Sequence, residues 1–418
     1  MKKSTLGMAA YWVVVIISLV IGGYGLYWRL TTGHQLANYG QLITWGLWVA
    51  MYIYFIGLSA GAFLISALVF VFHVERFRPI ARLALFTALI SLFMALLFIW
   101  FDLGHMERFY EVYTRPHFRS MMAWMVWLYT AYFVLLIFEF WFESRQDFVR
   151  CGQEKGGFQG FLCRVLALGS KDVSEEKRAR DEKVTQVLGS IGLPLAIMFH
   201  GGVGALFGVV AARPAWHGGL FPLLFLVSAL VSGGGLLMAI YAWLAPNKGS
   251  EEYKNLLSDM GRLVLALVLL DVIFTFAEYS IALYGGVPGD VLPLIEIMTG
   301  PFWWVFWIGQ IGLGMVVPII LLSFKRTRTS SFWVGIAGLS IVLAFVGVRL
   351  NIVIPPLSMP ELQGLVEAVP SPRMTTQYIP SMMEWALSIG IIGLGMALFA
   401  IGYNLLPVKP RGDKEVMS

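Results

Sequence analysis

The chain has 418 residues, of which 58% are hydrophobic and 13% are charged, and its formal net charge is +5. Soluble domains carry about 25% charged residues, so this composition excludes a water-facing surface over most of the chain. The basic residues flank apolar runs, so the positive charge indicates membrane topology and we expect no nucleic-acid partner.

Ten apolar segments are long enough to cross a bilayer, which takes about 20 mostly apolar residues per helix. In chain order they centre near 11–28, 45–72, 80–101, 121–142, 187–211, 218–244, 260–284, 300–324, 332–350 and 384–406. The first follows two lysines, as in a signal peptide, but it is long enough to span and lacks a clean cleavage site. We therefore predict an all-α polytopic protein of the inner (cytoplasmic) membrane.

The placement of lysine and arginine predicts that both termini lie in the cytoplasm. With the N-terminus inside, 23 of the 30 basic residues fall on the cytoplasmic side, nine of them in a 143–186 loop. The seven outside are all arginines: Arg29, Arg108, Arg115, Arg119, Arg213, Arg349 and Arg373. Residues 351–383 then form a periplasmic loop. Cys151 and Cys163 lie in the cytoplasmic loop, where we expect free thiols.

A weak internal repeat divides the chain. Arg82 precedes Met121 by 39 residues, and Arg262 precedes Pro301 by the same distance. We predict one membrane domain over 1–418, built from two four-helix bundles and two extra helices. The first bundle takes in 45–142 plus 187–211, and the second takes in 218–350. Chance similarity between apolar segments is the alternative.

The sequence offers few ligands for a redox centre. A membrane haem needs axial histidines that face each other across helices, and of six histidines only His200 lies well inside a span. Two cysteines cannot hold an iron–sulfur cluster. We expect no haem, iron–sulfur cluster or other metal in this chain. If the protein does redox chemistry, its electrons must therefore come from a partner subunit.

Ionisable residues within spans are costly and mark paths or sites by default. Asp271, Thr275 and Glu278 recur at i, i+4 and i+7, so they share one face of span seven. With His200 and Glu139 they form a predicted proton path. The alternatives are a structural hydrogen bond for the carboxylates, a carbonyl-bonded neutral His200, and a Glu139 that merely reaches the interface.

A polar cluster follows the outer end of span three. Asp102 and His105 stand at i and i+3, so they would face together if the helix continued. A carboxylate beside an imidazole can pass protons to and from a quinone carbonyl, so we predict that these two residues are catalytic. Arg108 and Tyr113 follow in the same segment. The alternative is that these polar residues lie on the protein surface without a catalytic role.

Several motifs carry a family resemblance. Phe101–Phe109 (FDLGHMERF) and Met121–Trp124 are similar to the Asp-Leu-Gly-Arg-Pro-x-Arg-Phe and Met-Ser-Trp motifs of the NrfD family, with His105–Met106 in place of Arg-Pro. Further similar stretches are Gly57–Leu64, His200–Gly204, Leu220–Gly233, Gly347–Arg349 and Tyr378–Trp385. Together they resemble the ten-span branch of that family, which includes menaquinone reductase membrane subunits.

The resemblance implies a function. Such subunits bind menaquinone near the periplasmic face, within the first four-helix bundle and under an iron–sulfur subunit that exchanges electrons with the quinone. The matched positions place Asp102, His105 and Arg108 near the quinone, and Tyr113 and Gly61 are further expected contacts. The implied partners are a periplasmic four-cluster ferredoxin-like subunit and a molybdopterin-type or multihaem cytochrome subunit.

We therefore predict the membrane subunit of a menaquinone oxidoreductase complex that takes up protons from the cytoplasm during anaerobic respiration. Two rivals stay open. Glycine-rich spans and a repeat suit a secondary transporter, although a parallel repeat and unbroken helices speak against it. A pure membrane anchor is the other, although an anchor need not bear the cost of buried carboxylates.

Overall fold

A computed structural model describes residues 2–362, 364–369 and 371–410. The regular structure of these residues is helical throughout, and ten of their helices are long and apolar enough to span a membrane. The prediction of an all-α protein with ten spans is confirmed. We number them α1 to α10: Gly7–Thr32, Leu47–Val71, Glu75–Asp102, Met121–Glu154, Glu175–Gly208, Phe221–Leu244, Glu251–Gly285, Val305–Ser323, Ser331–Ser358 and Met382–Leu405.

The apolar segments are helical because a helix pairs its own backbone N–H and C=O groups, for which lipid offers no hydrogen-bond partners. Side chains mark several of their starts. Ser250 accepts a hydrogen bond from the amide of Tyr253 at the beginning of α7. At the start of α10, Ser381 and Glu384 form a reciprocal capping box, which satisfies two amide groups that the helix itself leaves free.

The helices pack as two groups of four. Helices α2, α3, α4 and α5 contact one another in a closed ring, which we call the first bundle. Helices α6 to α9 do the same and form the second bundle. The two bundles meet where α2 contacts α6 and α9 and where α5 contacts α6, and we call this contact the seam. Helix α1 pairs with α10, and α10 lies against α3 and α2.

We call the membrane side that carries Asp102 the rim side, and the side that carries residues 143–186 the loop side. On the loop side, α4 continues well past the predicted end of its span, to Glu154, and α5 begins with a polar segment capped by Ser174. The buried pair of Arg145 and Asp181 ties these two extensions together, with contacts of 2.8 and 2.6 Å.

The prediction of free thiols is wrong. Cys151, near the end of α4, is joined by a disulfide to Cys163 in the short helix Gly157–Leu166. A glycine-rich turn around Gly156 folds this short helix back on α4, so the two cysteines become neighbours. Disulfides are rare in the cytoplasm, which makes an independent test of the orientation valuable.

Two features of the spans also differ from expectation. Arg349, assigned to the outer surface by its charge, lies inside α9 and is 1% exposed. Span eight is not a regular α-helix, because Val305–Val316 is wound as a π-helix. Such segments are rare and frequently occur at functional sites, and this one brings Gln310 into the second bundle.

The predicted orientation can be tested by thiol labelling in a background that carries C151S and C163S. A cysteine at the exposed position Glu107 (E107C) reports on the rim side, and one at Glu175 (E175C) reports on the loop side. We expect a membrane-impermeant maleimide to label E107C in intact cells and E175C only after lysis. The reverse pattern would invert the topology, and the cysteine-free chain serves as the blank.

Candidate functional site

The rim-side end of α3 is fixed by polar contacts. The helix ends at Asp102 because Leu103 adopts an extended conformation. Arg29 of α1 donates hydrogen bonds to the carbonyls of Phe101 at 2.8 Å and Leu103 at 2.6 Å. Tyr39, in the connection between α1 and α2, donates its hydroxyl hydrogen to Asp102 Oδ1 at 2.9 Å. The carboxylate of Asp102 is thereby held in one position.

A second carboxylate lies beside this one. Glu384 of α10 is fully buried and accepts hydrogen bonds from the hydroxyl of Tyr378 and the amide of Asn38. Tyr378 also accepts a hydrogen bond from the amide of Leu47 at 2.8 Å, and its ring lies 6.1 Å from that of Tyr39. The two tyrosines therefore stand between the two carboxylates.

One histidine completes the group. The ring of His34 lies 5.9 Å from Trp48 and 5.7 Å from Tyr39. Its Nε2 is buried and has no hydrogen-bond partner in the part of the chain that the structure describes. We call the whole set the rim cluster: Arg29, His34, Tyr39, Asp102, Tyr378 and Glu384.

The protonation states of the rim cluster follow from burial and from its charges. Burial, and then the charge of Asp102, holds the pKa of Tyr39 well above its ordinary value. Burial, followed by Glu384, raises the pKa of Tyr378. Burial and the nearby Arg29 lower the pKa of His34. At neutral pH both tyrosines therefore keep their protons as hydrogen-bond donors, and the imidazole is uncharged.

The structure does not bring Asp102 and His105 together, so this part of the sequence prediction is wrong. Because α3 ends at Asp102, His105 turns outward and its side chain is 69% exposed. It pairs with Glu107 at 2.9 Å. Arg108 is also exposed, on the same surface segment.

The other two expected quinone contacts lie in different places. The hydroxyl of Tyr113 is 2.8 Å from that of Thr130 on α4, and its ring packs against Trp127. Gly61 lies deeper, where α2 crosses α6: a Cβ atom there would come within 2.5 Å of the carbonyl oxygen of Gly233. Its contacts are those of a helix-packing residue, and it does not line the rim cluster.

The residues of the predicted proton path occupy the interiors of both bundles. Glu139 is 1% exposed, so it does not reach the interface, and it lines a cavity of about 10 Å³ together with Ser66 and Tyr132. His200 lies 5.7 Å from the ring of Tyr132. Among the described residues neither ring nitrogen of His200 has a hydrogen-bond partner, so no carbonyl holds it.

A larger cavity opens in the second bundle. Asp271, Thr275 and Glu278 all line it, as their spacing on one helix face predicts, and Gln310 joins them from α8. The centres of water molecules can occupy about 60 Å³ of this cavity. A single water needs about 10–15 Å³ on this measure, so the cavity has room for roughly four to six waters.

Sequence reasoning missed several residues of these sites. Tyr39 lies outside the motifs, and His34 has no charged neighbour in the sequence. Tyr378, Glu384 and Arg349 lie in stretches that carry the family resemblance but were given no role in a site, and Arg29 was counted only as a topology charge. An arginine next to an otherwise apolar span was a further signal, because a buried guanidinium must find acceptors or a counter-ion.

Comparison with known proteins extends over the whole chain. A family model described as "Polysulphide reductase, NrfD" matches residues 35–360. The chain is 39% identical over 413 residues to a protein of the selenate reductase of Mesobacillus selenatarsenatis, and the match covers 97% of this chain and 95% of that protein. It is 26% identical over 427 residues to the Hdr-like menaquinol oxidoreductase integral membrane subunit of Archaeoglobus fulgidus, covering 97% and 96%.

A third relative is the integral membrane subunit of menaquinone reductase from Nitratidesulfovibrio vulgaris. It is 22% identical over 429 residues, covering 98% of this chain and 94% of that protein. The family model begins after α1 and ends before α10, so it covers the two bundles. Arg29 and Glu384 of the rim cluster come from the two helices outside it.

Proposed function

The chain belongs to the NrfD family and is an integral membrane subunit of a quinone-linked oxidoreductase complex, and from that premise we propose that it exchanges electrons between an iron–sulfur partner subunit and menaquinone at the rim cluster. The observation that carries this proposal is a partly buried carboxylate, Asp102, that accepts a hydrogen bond from the protonated hydroxyl of Tyr39 at the membrane surface. Such a pair can exchange a proton with a quinone oxygen.

The rim cluster fits a quinone head group in its chemistry. The unpartnered Nε2 of His34 would offer a polar atom to a carbonyl oxygen, and the partly exposed ring of Tyr39, which packs on the fully buried Trp48, would offer an apolar face. In this proposal His34, Tyr39 and Asp102 hold the quinone, which accepts or gives up two electrons when bound. Arg29 fixes the end of α3, and Tyr113 lies at the approach from lipid.

The surface above Asp102 supports a docked partner. Phe109, Tyr110 and Phe118 are 51–54% exposed on the segment that follows α3, and exposed aromatic groups are typical of protein interfaces. We propose that an extracytoplasmic four-cluster ferredoxin-like subunit binds there, with His105 and Arg108 as polar contacts of its edge. A molybdopterin-type or multihaem cytochrome subunit would complete the electron path.

We further propose that protons cross the bundles through Glu139, His200, Asp271, Thr275 and Glu278. At about 1.5 Å per residue, Glu278 lies roughly 10 Å nearer the rim side than Asp271. Protons taken from the cytoplasm and electrons exchanged outside would make turnover electrogenic. Each charge moved against 100 mV then costs about 2.3 kcal/mol, which the redox reaction must supply.

The proposed function is tested on the purified complex. We expect iron–sulfur and catalytic subunits to co-purify with the chain and to turn over a soluble naphthoquinone. A chain that purifies without redox partners and carries a solute across liposome membranes would instead support the transporter alternative. A complex that reacts with its other substrate but not with any quinone would support the anchor alternative.

Replacing Glu278 by glutamine should slow proton movement in proteoliposomes by about tenfold or more, because the amide cannot take up and release a proton. The measurement is the fluorescence of a trapped pH dye during quinone turnover. Glu296, on the neighbouring surface helix Pro288–Thr299, provides the matched control because it does not line the cavity. Equal rates in E278Q and E296Q would remove Glu278 from the path.

A further inference from the structure

Arg349 is a buried cation without direct partners for most of its donors. It is 1% exposed, and its Nε and Nη1 atoms make no hydrogen bond to any residue that the structure describes. A charge in this situation costs several kcal/mol unless another group compensates it. An apolar residue at position 349 would avoid this cost, so packing alone does not account for the arginine.

The side chain reaches into the seam. It starts on α9, and its guanidinium carbon lies 4.9 Å from the ring of Phe225 on α6, which is a favourable cation–π distance. On the side of α2, a Cβ atom on Gly57 would stand 3.3 Å from Nη2. Glycine at this position therefore makes room for the charge between the bundles.

Proton-carrying groups lie on both sides of Arg349. Asp271 on α7 and His200 on α5 each interact electrostatically with it, as does Tyr54 on α2. Asp271 makes no direct ion pair with it among the described residues, although it lines the 60 Å³ cavity. Ser228 and Asn351 line the same cavity, and their buried Oγ and Nδ2 atoms also lack partners in the described part of the chain. These polar atoms require water.

We propose that Arg349 is a positioning residue for proton transfer, which pairs with Asp271 through ordered water and so controls the passage of protons across the seam from the first bundle to the second. This inference rests on the proposed function, and it adds a residue and a place at which the two halves of the path are joined.

The chemistry is one proton transfer without electron movement. A proton that reaches His200 makes it an imidazolium facing the guanidinium, and the repulsion of like charges favours its release. The carboxylate of Asp271, whose ionised form Arg349 favours, accepts that proton through the intervening water. Arg349 is then left without its counter-charge, which favours onward release of the proton from Asp271 to Glu278.

A double-mutant cycle tests the pairing. In the full complex, Arg349→Gln and Asp271→Asn should each lower the yield of folded subunit by about tenfold, because each leaves one buried charge unpaired. The double variant should recover to within about twofold of the unmodified protein, because both charges are gone. A double variant no better than either single one would overturn the pairing.

A second readout separates proton control from stability. In proteoliposomes we expect the double variant to lose at least about half of the protons moved per electron. The buried pair of Arg145 and Asp181 on the loop side provides the control. Its single variants should lower the yield and the double variant R145Q/D181N should restore it, while the number of protons moved per electron stays unchanged. An unchanged ratio in R349Q/D271N would overturn the inference alone, whereas an unmodified complex that turns over no quinone would overturn the proposed function.

Discussion

Replacing Asp102 by asparagine is expected to lower quinone turnover by about 100-fold or more, since general acid–base catalysis typically contributes 10²- to 10⁴-fold. The amide oxygen of asparagine can still accept the hydrogen bond from Tyr39, so the end of α3 should keep its position. The measurement is the steady-state rate of the purified complex with a soluble naphthoquinone. The amounts of the partner subunits that co-purify report assembly.

His105 provides the matched control for Asp102. It lies in the same surface segment, but it is exposed and paired with Glu107, and such exposed pairs contribute little. We expect H105N to change turnover by less than about threefold. If H105N loses as much activity as D102N, the exposed histidine reaches the quinone in the assembled complex and the predicted catalytic pair is restored. If D102N stays active, the rim cluster is not the site.

Those parts of the fold that depend on local pattern could be predicted from the sequence. Hydropathy finds all ten spans, because a bilayer imposes both length and apolar character on a helix. The common face of Asp271, Thr275 and Glu278 follows from helix geometry alone, and all three line one cavity. Both inferences need only residues that are close in the chain.

The rim cluster could not be predicted in the same way, because its contacts join distant parts of the chain. Tyr39 and Asp102 are 63 positions apart, and Asn38 and Glu384 are 346 apart. A motif supplies one partner of such a contact and says nothing about the other. The i, i+3 spacing also predicted the wrong neighbour for Asp102, since the sequence gives no sign that α3 ends at that residue.

Arg349 shows a second limit of sequence reasoning. Counting charges treats an arginine near the end of an apolar run as a loop residue, because a buried cation is the costlier placement. The structure places it within α9, at the seam. Its buried placement depends on Gly57 of α2 and Phe225 of α6. The sequence alone does not show that these two residues pack against Arg349.

Gly61 was predicted to contact the quinone, but its neighbours are those of a residue where two helices cross. A Cβ atom at this position would lie 2.5 Å from the oxygen and 2.8 Å from the carbon of the Gly233 carbonyl. Backbone atoms cannot rotate away as a side chain can, so α2 and α6 would have to separate. Small residues at such crossings allow membrane helices to approach closely, and dispersion contacts then stabilise the pair.

Replacing Gly61 by alanine is therefore expected to lower the free energy of unfolding by about 1–3 kcal/mol, seen as a lower melting temperature and less assembled complex. The KM for quinone in the assembled fraction should be unchanged. Gly201→Ala is the control, because its Cβ atom would meet its nearest neighbour at 3.8 Å. A raised KM with an unchanged melting temperature would instead place the quinone against α2 at depth. The seam would then be a binding surface as well as a packing contact.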